Sequence, residues 1–167
     1  GRGGVVKNLT IENAWIQGLL KSNSITGGIV GYFYGDSIVN CEFHGTVKDV
    51  YVGGIAGWFE KPYIGSRREN GSYVPMYAGG TIRNSRNYGK VVALNFGGGI
   101  ASVADNGGTI VGSENFGQVT GAYCGGILGN AEYLGSANAQ GGDHIVIDSS
   151  VNHASVSTTA KYGSSGG

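Results

Sequence analysis

The residues best suited to binding a ligand lie in one stretch, Trp58 to Gly80, which interrupts an otherwise repetitive sequence. Aromatic rings stack on the apolar faces of sugars, while arginine and glutamate hydrogen-bond to sugar hydroxyls. The stretch therefore suits a glycan ligand, and its candidate binding residues are Trp58, Tyr63, Arg67, Arg68, Tyr73 and Tyr77. The competing interpretation is a hairpin or flap that covers one side of the fold, with its aromatic side chains packed inward.

The cysteines and histidines do not form a pattern typical of catalysis or metal binding. A cysteine nucleophile needs a nearby histidine and an orienting group, but Cys41 and Cys124 occupy different positions of the repeat described below. We expect both to be small buried thiols that do not form a disulfide with each other. His44 and His153 share one repeat position in well-separated copies. We expect them to be exposed or stacked side chains, since zinc needs three or four convergent ligands.

The acidic residues are scattered along the chain. A calcium-binding repeat would carry aspartate at one fixed position of every copy. Here the aspartates fall at different repeat positions, namely Asp36, Asp49, Asp105, Asp143 and Asp148. Paired carboxylates for glycoside hydrolysis stay open as a weaker alternative. The sequence thus predicts a non-catalytic chain with no metal and no cofactor.

Two short motifs recur along the chain and define an imperfect repeat. The first, Ile-x-Asn-Cys/Ser-x-Asn-x-Gly-x-Val, occurs at 38–47, 82–91 and 110–119, with a worn copy at 147–156 and a first copy at 11–20. The second begins with Gly-Gly-Ile and occurs at 27–31, 53–57, 98–102 and 125–129. Insertions at 58–80 and 131–142 separate some of the copies.

The repeat has the pattern of short β-strands. Apolar and polar residues alternate within each copy, and glycines bound the alternating stretches. The 34 glycines among 167 residues fit many tight turns. Stacked repeats about 4.8 Å apart would place equivalent positions above one another. The sequence therefore predicts an all-β fold, a single β-solenoid domain over residues 1–167 with about five rungs of about 25 residues and loop insertions.

Equivalent positions predict four columns of stacked side chains. The aliphatic column consists of Ile11, Ile38, Ile82, Ile110 and Ile147. The small-residue column, suited to a tight corner, consists of Ala14, Cys41, Ser85, Ser113 and Ser150. The amide column consists of Asn87, Asn115 and Asn152. The turn column, where we expect positive φ, consists of Gly18, Gly45, Gly89 and Gly117.

The pair of motifs GGIVG and IVNCEFHGTV, at 27–31 and 38–47, resembles the GLUG-type repeat of bacterial secreted and surface proteins. The resemblance covers residues 5–156, with departures at the two insertions and at Gly112 and Ala154. That repeat occurs in adhesin-like chains and in accessory regions of immunoglobulin A-cleaving metallopeptidases. The resemblance implies a bacterial, exported, non-catalytic module at the cell surface or outside the cell. It implies no particular ligand and no set of binding residues.

The low charge of the chain limits the partners that we expect. Lys and Arg total 11, Asp and Glu total 11, and charged residues make up 13% of the chain. The absence of a basic stripe argues against nucleic-acid binding, and no apolar run reaches the roughly 18 residues of a membrane span. We expect a host glycan or protein as partner, and a chain that is a segment of a longer protein. The alternative function is an accessory domain that positions substrate for a secreted peptidase or carbohydrate-active enzyme.

The predicted architecture also has a consequence for association. Both ends of a stack of strands carry unpaired backbone groups unless a cap or flanking sequence covers them. We therefore expect end-to-end self-association.

Overall fold

The computed structural model describes residues 4–131, 144–161 and 163–167, and this part of the chain is all-β. In chain order its strands are β1 (Val5–Lys7), β2 (Thr10–Gln17), β3 (Ile25–Gly27), β4 (Val30–Phe33), β5 (Ser37–Val39), β6 (Glu42–Asp49), β7 (Tyr51–Gly53), β8 (Ala56–Glu60), β9 (Tyr63–Glu69), β10 (Ser72–Tyr77), β11 (Thr81–Arg83), β12 (Arg86–Asn87), β13 (Lys90–Ala93), β14 (Phe96–Gly98), β15 (Ala101–Asp105), β16 (Thr109–Val111), β17 (Glu114–Asn115), β18 (Val119–Gly121), β19 (Tyr123–Gly125), β20 (Leu128–Ala131), β21 (Val146–Asp148), β22 (Val151–Asn152), β23 (Val156–Thr158) and β24 (Ser164–Gly166). None of the described residues forms a helix long and apolar enough to cross a membrane.

Four sheets are parallel, and neighbouring strands in them come from successive repeats. The first sheet has the order β1-β5-β11-β16-β21, the third β24-β19-β14-β7-β3 and the fourth β20-β15-β8-β4. The second has the order β22-β17-β12-β6-β13-β18-β23, with β2 also paired to β6. The long strand β6 therefore faces two short strands, β12 and β13, of the following repeat. Each repeat passes through the sheets in the same order.

The register between repeats brings the aliphatic column together in the core. Ile38 pairs with Ile82, Ile82 with Ile110, and Ile110 with Ile147. The first three of these side chains are fully buried. Burying an isoleucine side chain contributes about 1.5–3 kcal/mol, so this column is a main source of cohesion between repeats. The predicted column is confirmed from the second repeat onward.

The predicted amide column forms a hydrogen-bonded ladder that is buried at Asn87 and Asn115 and half-buried at Asn152. Nδ2 of Asn87 donates to Oδ1 of Asn115 at 2.8 Å, and Nδ2 of Asn115 donates to Oδ1 of Asn152 at 2.8 Å. Each amide also bonds its own turn, as where Asn87 donates to the carbonyl of Gly89 and accepts from its N–H, both at 2.9 Å. The side chains thus satisfy buried backbone groups while linking three repeats.

The small-residue column also links the repeats. The backbone N–H of Cys41 donates to Oγ of Ser85, that of Ser85 to Oγ of Ser113, and that of Ser113 to Oγ of Ser150, each at 3.2 Å. Each serine hydroxyl accepts a hydrogen bond from a backbone N–H of the preceding repeat, which explains why serine recurs at this corner.

The first repeat does not follow the predicted alignment. Val6, not Ile11, pairs with Ile38, and Ile11 pairs with Phe43. The pairing shifts register between Ile11 and Ala14, because β2 accommodates an extra residue there. The placement of Ile11 in the aliphatic column and of Ala14 in the small-residue column was therefore wrong.

The predicted positive φ at the glycine column was also wrong. The left-handed conformation falls instead on the third residue of the motif, at Asn40 (52°), Asn84 (48°) and Gly112 (58°). Asparagine and glycine both tolerate this conformation, so Gly112 is no irregularity. Close packing requires glycine at Gly45, Gly89 and Gly117, since a Cβ on Gly117 would lie 1.8 Å from the carbonyl oxygen of Gly89. In the first repeat Ala14 pairs with Gly45, so the placement of Gly18 in this column was wrong.

Candidate functional site

The stretch 58–80 divides into a strand of the fourth sheet and a separate hairpin. Trp58 lies in β8, where it pairs with Tyr32 of β4 and Val103 of β15. Strands β9 and β10 follow and form a two-stranded antiparallel sheet of their own. The second predicted insertion, 131–142, lies outside the described residues apart from Ala131, which ends β20.

The hairpin turn has the sequence and geometry expected of a two-residue connection. Asn70 and Gly71 have φ values of 47° and 85°, as in a type I′ turn, which needs positive φ at both central residues. The strands on either side therefore keep the right-handed twist that stabilises a hairpin. The hairpin does not join the four parallel sheets, and residues 66–73 at its far end are all exposed.

The base of the hairpin is fixed to the preceding repeat. The backbone N–H of Tyr63 donates to the hydroxyl of Tyr34 at 2.7 Å, and the N–H of Gly80 donates to the carbonyl of Gly35 at 2.9 Å. The rings of Tyr63 and Tyr77 lie edge to face with centroids 5.9 Å apart. Tyr63 and Tyr77 therefore have a packing role at the base, although Tyr63 is also partly exposed.

The two faces of the hairpin carry different charges. Arg67 and Glu69 lie on one face and form an ion pair of 2.8 Å. Arg68 lies on the other face, opposite Tyr73 in the cross-strand register. Tyr73 is 76% exposed, so the interpretation with all aromatic side chains packed inward does not hold at the end of the hairpin. The hairpin brings five of the six predicted residues together.

The sixth, Trp58, belongs to an aromatic cluster on the sheets. Its ring stacks on Tyr32 with centroids 6.2 Å apart and meets the edge of Tyr51 at 6.4 Å. Its indole N–H is buried, with no acceptor among the described residues. Trp58 therefore packs against the aromatic side chains of the parallel sheets and is not part of the hairpin.

A polar cluster beside Trp58 was not predicted. The hydroxyl of Tyr32 donates to Oε1 of Glu60 at 2.6 Å, and Nδ2 of Asn106 donates to Oε2 at 3.2 Å. Burial and the Glu60 carboxylate raise the pKa of Tyr32 well above its usual range. These three residues come from three different repeats, so no local sequence pattern marks the cluster. Tyr34, which anchors the hairpin, was missed for the same reason.

His44 and His153 lie in a stack of rings beside the second sheet, as expected. Centroids are 4.5 Å apart between His44 and Tyr88, 4.8 Å between Tyr88 and Phe116, and 4.4 Å between Phe116 and His153. The rings cover one another's faces, so the column serves packing between repeats.

A row of charges runs beside the ring stack. Arg86 bonds Glu42 at 3.3 Å and Glu114 at 3.1 Å. Hydrogen bonds from Arg86 and His153 hold the pKa of Glu114 below its usual range. The row joins three repeats through alternating charge.

The cysteines are buried and free. Cys41 is fully buried and Cys124 is 5% exposed, and burial raises the pKa of the Cys124 thiol. A raised pKa lowers the fraction of reactive thiolate. Among the residues that the structure describes, no group of three or more His, Cys, Asp or Glu side chains is arranged to hold a metal ion.

A scan against models of protein families finds no match, and none appears among curated proteins or among solved structures. A functional assignment therefore rests on the geometry of the chain itself.

Proposed function

We propose that this chain is a β-solenoid of about five rungs that serves as a non-catalytic structural and adhesive module of a bacterial exported or cell-surface protein. Hairpin β9–β10 is its recognition element, and a host glycan or protein is its partner. Two kinds of observation support the proposal: the stacked parallel strands favour a rigid spacer, and the hairpin offers exposed contact groups.

The coil is supported by the order of strand pairing. Consecutive strands of one repeat lie in different parallel sheets, and each pairs with its equivalent in the next repeat. A chain that makes one turn of a coil per repeat has this pattern. Such a stack is rigid along its length, because backbone ladders, buried apolar columns and the amide ladder fix each repeat to its neighbours. The GLUG-type resemblance supports the assignment to an exported bacterial protein.

The single observation that carries the recognition role is the exposure of Tyr73, at 76%. A large aromatic side chain on a hairpin outside the stacked sheets contributes little to the core. Tyrosine is enriched where proteins meet partners, since it combines a large apolar area with a polar hydroxyl and few rotatable bonds. The surrounding arginine and serine side chains add groups that hydrogen-bond to a ligand.

The test is binding of the purified chain to an array of glycans, mucins and host surface proteins. We expect selective binding that Tyr73→Ala abolishes. Trp15→Ala is the matched control, because Trp15 is a similarly exposed aromatic residue, at 70%, on β2 rather than on the hairpin. Equal binding by both variants and the parent chain would remove the hairpin from the proposal, and turnover of a glycan by the parent chain would contradict a non-catalytic role.

A further inference from the structure

Only one hairpin face presents an uncompensated cation. Arg67 is neutralised at 2.8 Å by Glu69 on its own face. The Arg68 guanidinium, on the opposite face, has no ion pair or hydrogen bond within the described part of the chain. Alternation along β9 separates the two arginines, since successive side chains of a strand point to opposite sides. The two neighbours in sequence are therefore in different chemical environments.

The groups around Arg68 are an exposed ring and a hydroxyl. Tyr73 is its cross-strand partner, and Ser66 lies two residues along the same strand, opposite Pro75. The hydroxyls of Ser66 and Tyr63 are 2.6 Å apart, which places a second tyrosine hydroxyl at the edge of this face. The Arg68 face, defined as Tyr63, Ser66, Arg68 and Tyr73, thus combines one positive charge, the largely exposed ring of Tyr73, and three hydroxyls, those of Tyr63, Ser66 and Tyr73.

We infer that the Arg68 face binds a sugar ring that carries a carboxylate, as in a uronic or a sialic acid. The planar guanidinium matches a carboxylate through two parallel N–H···O bonds. The ring of Tyr73 packs against the carbons of the sugar, and the hydroxyls of Ser66 and Tyr63 hydrogen-bond to its hydroxyl groups. This inference rests on the proposed function and specifies its ligand class.

The unequal pairing of the two arginines makes the inference testable by matched substitutions. Arg68→Gln removes the free charge but keeps a polar, hydrogen-bonding end group on a shorter side chain. Arg67→Gln removes one charge from the same hairpin, one residue away, on the face where that charge is already compensated. A ligand held only by general electrostatic attraction responds to both changes equally, because the net charge falls by one in each. A ligand held on the Arg68 face responds to the first alone.

The experiment measures binding of the full chain to paired probes by calorimetry or biolayer interferometry. The pairs are polygalacturonate with its carboxyl-reduced form, and sialyllactose with lactose; polyglutamate supplies carboxylates without sugar. We expect the parent chain to bind at least one carboxylated sugar. The affinity should fall about tenfold when Arg68 is changed to Gln, and about tenfold when the neutral probe of the pair replaces the carboxylated one. Arg67→Gln should stay within about twofold of the parent chain. Unchanged urea unfolding midpoints for both variants confirm that they fold.

The outcomes separate the inference from the function on which it rests. Hairpin-dependent binding to neutral sugars or to a protein, with no preference for carboxylates, overturns the inference and leaves the recognition role in place. Polyglutamate binding as tight as that of the acidic sugars also overturns it, because the sugar ring then contributes nothing. If neither these probes nor the array shows any binding that depends on Tyr73, both the inference and the proposed recognition role are overturned.

Discussion

At the scale of single residues, Asp49 shows how one side chain fastens a loop to the stack. It is fully buried at the end of β6, where Oδ2 accepts hydrogen bonds from the hydroxyls of Ser24 and Thr26, both at 2.6 Å. Oδ1 accepts from the N–H of Leu20 at 3.1 Å. Burial raises the pKa of this carboxyl, but the hydrogen bonds outweigh it and the pKa lies below its usual value.

The lowered pKa predicts how Asp49 contributes to stability. Because the folded-state pKa is depressed, the contribution is complete above the unfolded-state pKa of about 3.8 and is lost as the pH falls through the folded-state pKa. We expect Asp49→Asn to lower the free energy of unfolding by about 1–3 kcal/mol at neutral pH, since it disturbs three partly buried hydrogen bonds to the carboxylate. The difference from the parent chain should shrink in the acid range. Urea unfolding across this range measures it, and a difference that does not change with pH contradicts the prediction.

At the scale of elements, the periodic motif carries most of the information about the strands. It placed the asparagine column correctly, and the isoleucine column from Ile38 onward, because both depend on side chains repeated at one spacing. Two features did not follow from it. The left-handed conformation lies at Asn40 and Asn84 rather than at the glycine later in the motif. Both asparagine and glycine adopt this conformation readily, so residue type alone did not distinguish the two positions. The shift in β2 depends on an extra residue that has no counterpart in later copies.

The candidate site was predictable in composition but not in arrangement. An insertion rich in tyrosine and arginine, between otherwise regular repeats, marks the hairpin. The pairing of Arg68 with Tyr73, and of Arg67 with Val74, depends on the cross-strand register, which the Asn70–Gly71 turn determines. Trp58 was assigned to the insertion because its pairing with Tyr32 joins two different repeats, and no local sequence pattern shows such a contact.

The amide ladder predicts an unequal response along its length. Asn115 lies in the middle, where its side chain bonds both Asn87 and Asn152, each at 2.8 Å. Asn115→Ala leaves buried partners unsatisfied on both sides, so we expect a loss of about 2–3 kcal/mol. Asn152→Ala should cost less, because Asn152 is only half-buried and has one ladder neighbour within the described chain. Equal losses in urea unfolding would show that the ladder does not act as a chain of bonds.

At the scale of the whole molecule, the strands of the last described repeat form an exposed edge. Ile147 is 47% exposed, whereas its column neighbours Ile82 and Ile110 are fully buried. Val151 is also 47% exposed, and a cavity of about 430 Å³ lined by Leu128 and Ile147 opens here. Exposed apolar side chains beside unpaired backbone groups favour pairing with another strand.

This edge predicts concentration-dependent association of the 167-residue chain. Light scattering over a concentration series should show an average mass that rises above that of a monomer. Ile147→Lys combined with Val151→Lys should reduce it, because charged side chains on an edge oppose strand addition. Tyr73→Ala, which removes an exposed ring from the hairpin rather than from either end of the stack, is the control. A constant monomer mass at high concentration contradicts the prediction.

The Asn70–Gly71 turn also makes the hairpin susceptible to deamidation. The amide nitrogen of a glycine, unhindered by a side chain, attacks the Cγ of a preceding asparagine, closes a succinimide and expels ammonia. Water then opens the ring to aspartate or isoaspartate. Asn106–Gly107 has the same left-handed pair, at 51° and 71°, but the Asn106 side chain is half-buried and bonded to Glu60.

Mass spectrometry of stored protein should therefore find deamidation several-fold faster at Asn70 than at Asn106, and similar rates would contradict this. Isoaspartate lengthens the backbone of the turn by one atom, and either product adds a negative charge near Arg68. The surface that we propose as a binding site would then lose its preference for carboxylated sugars with age, while the stacked repeats stay intact.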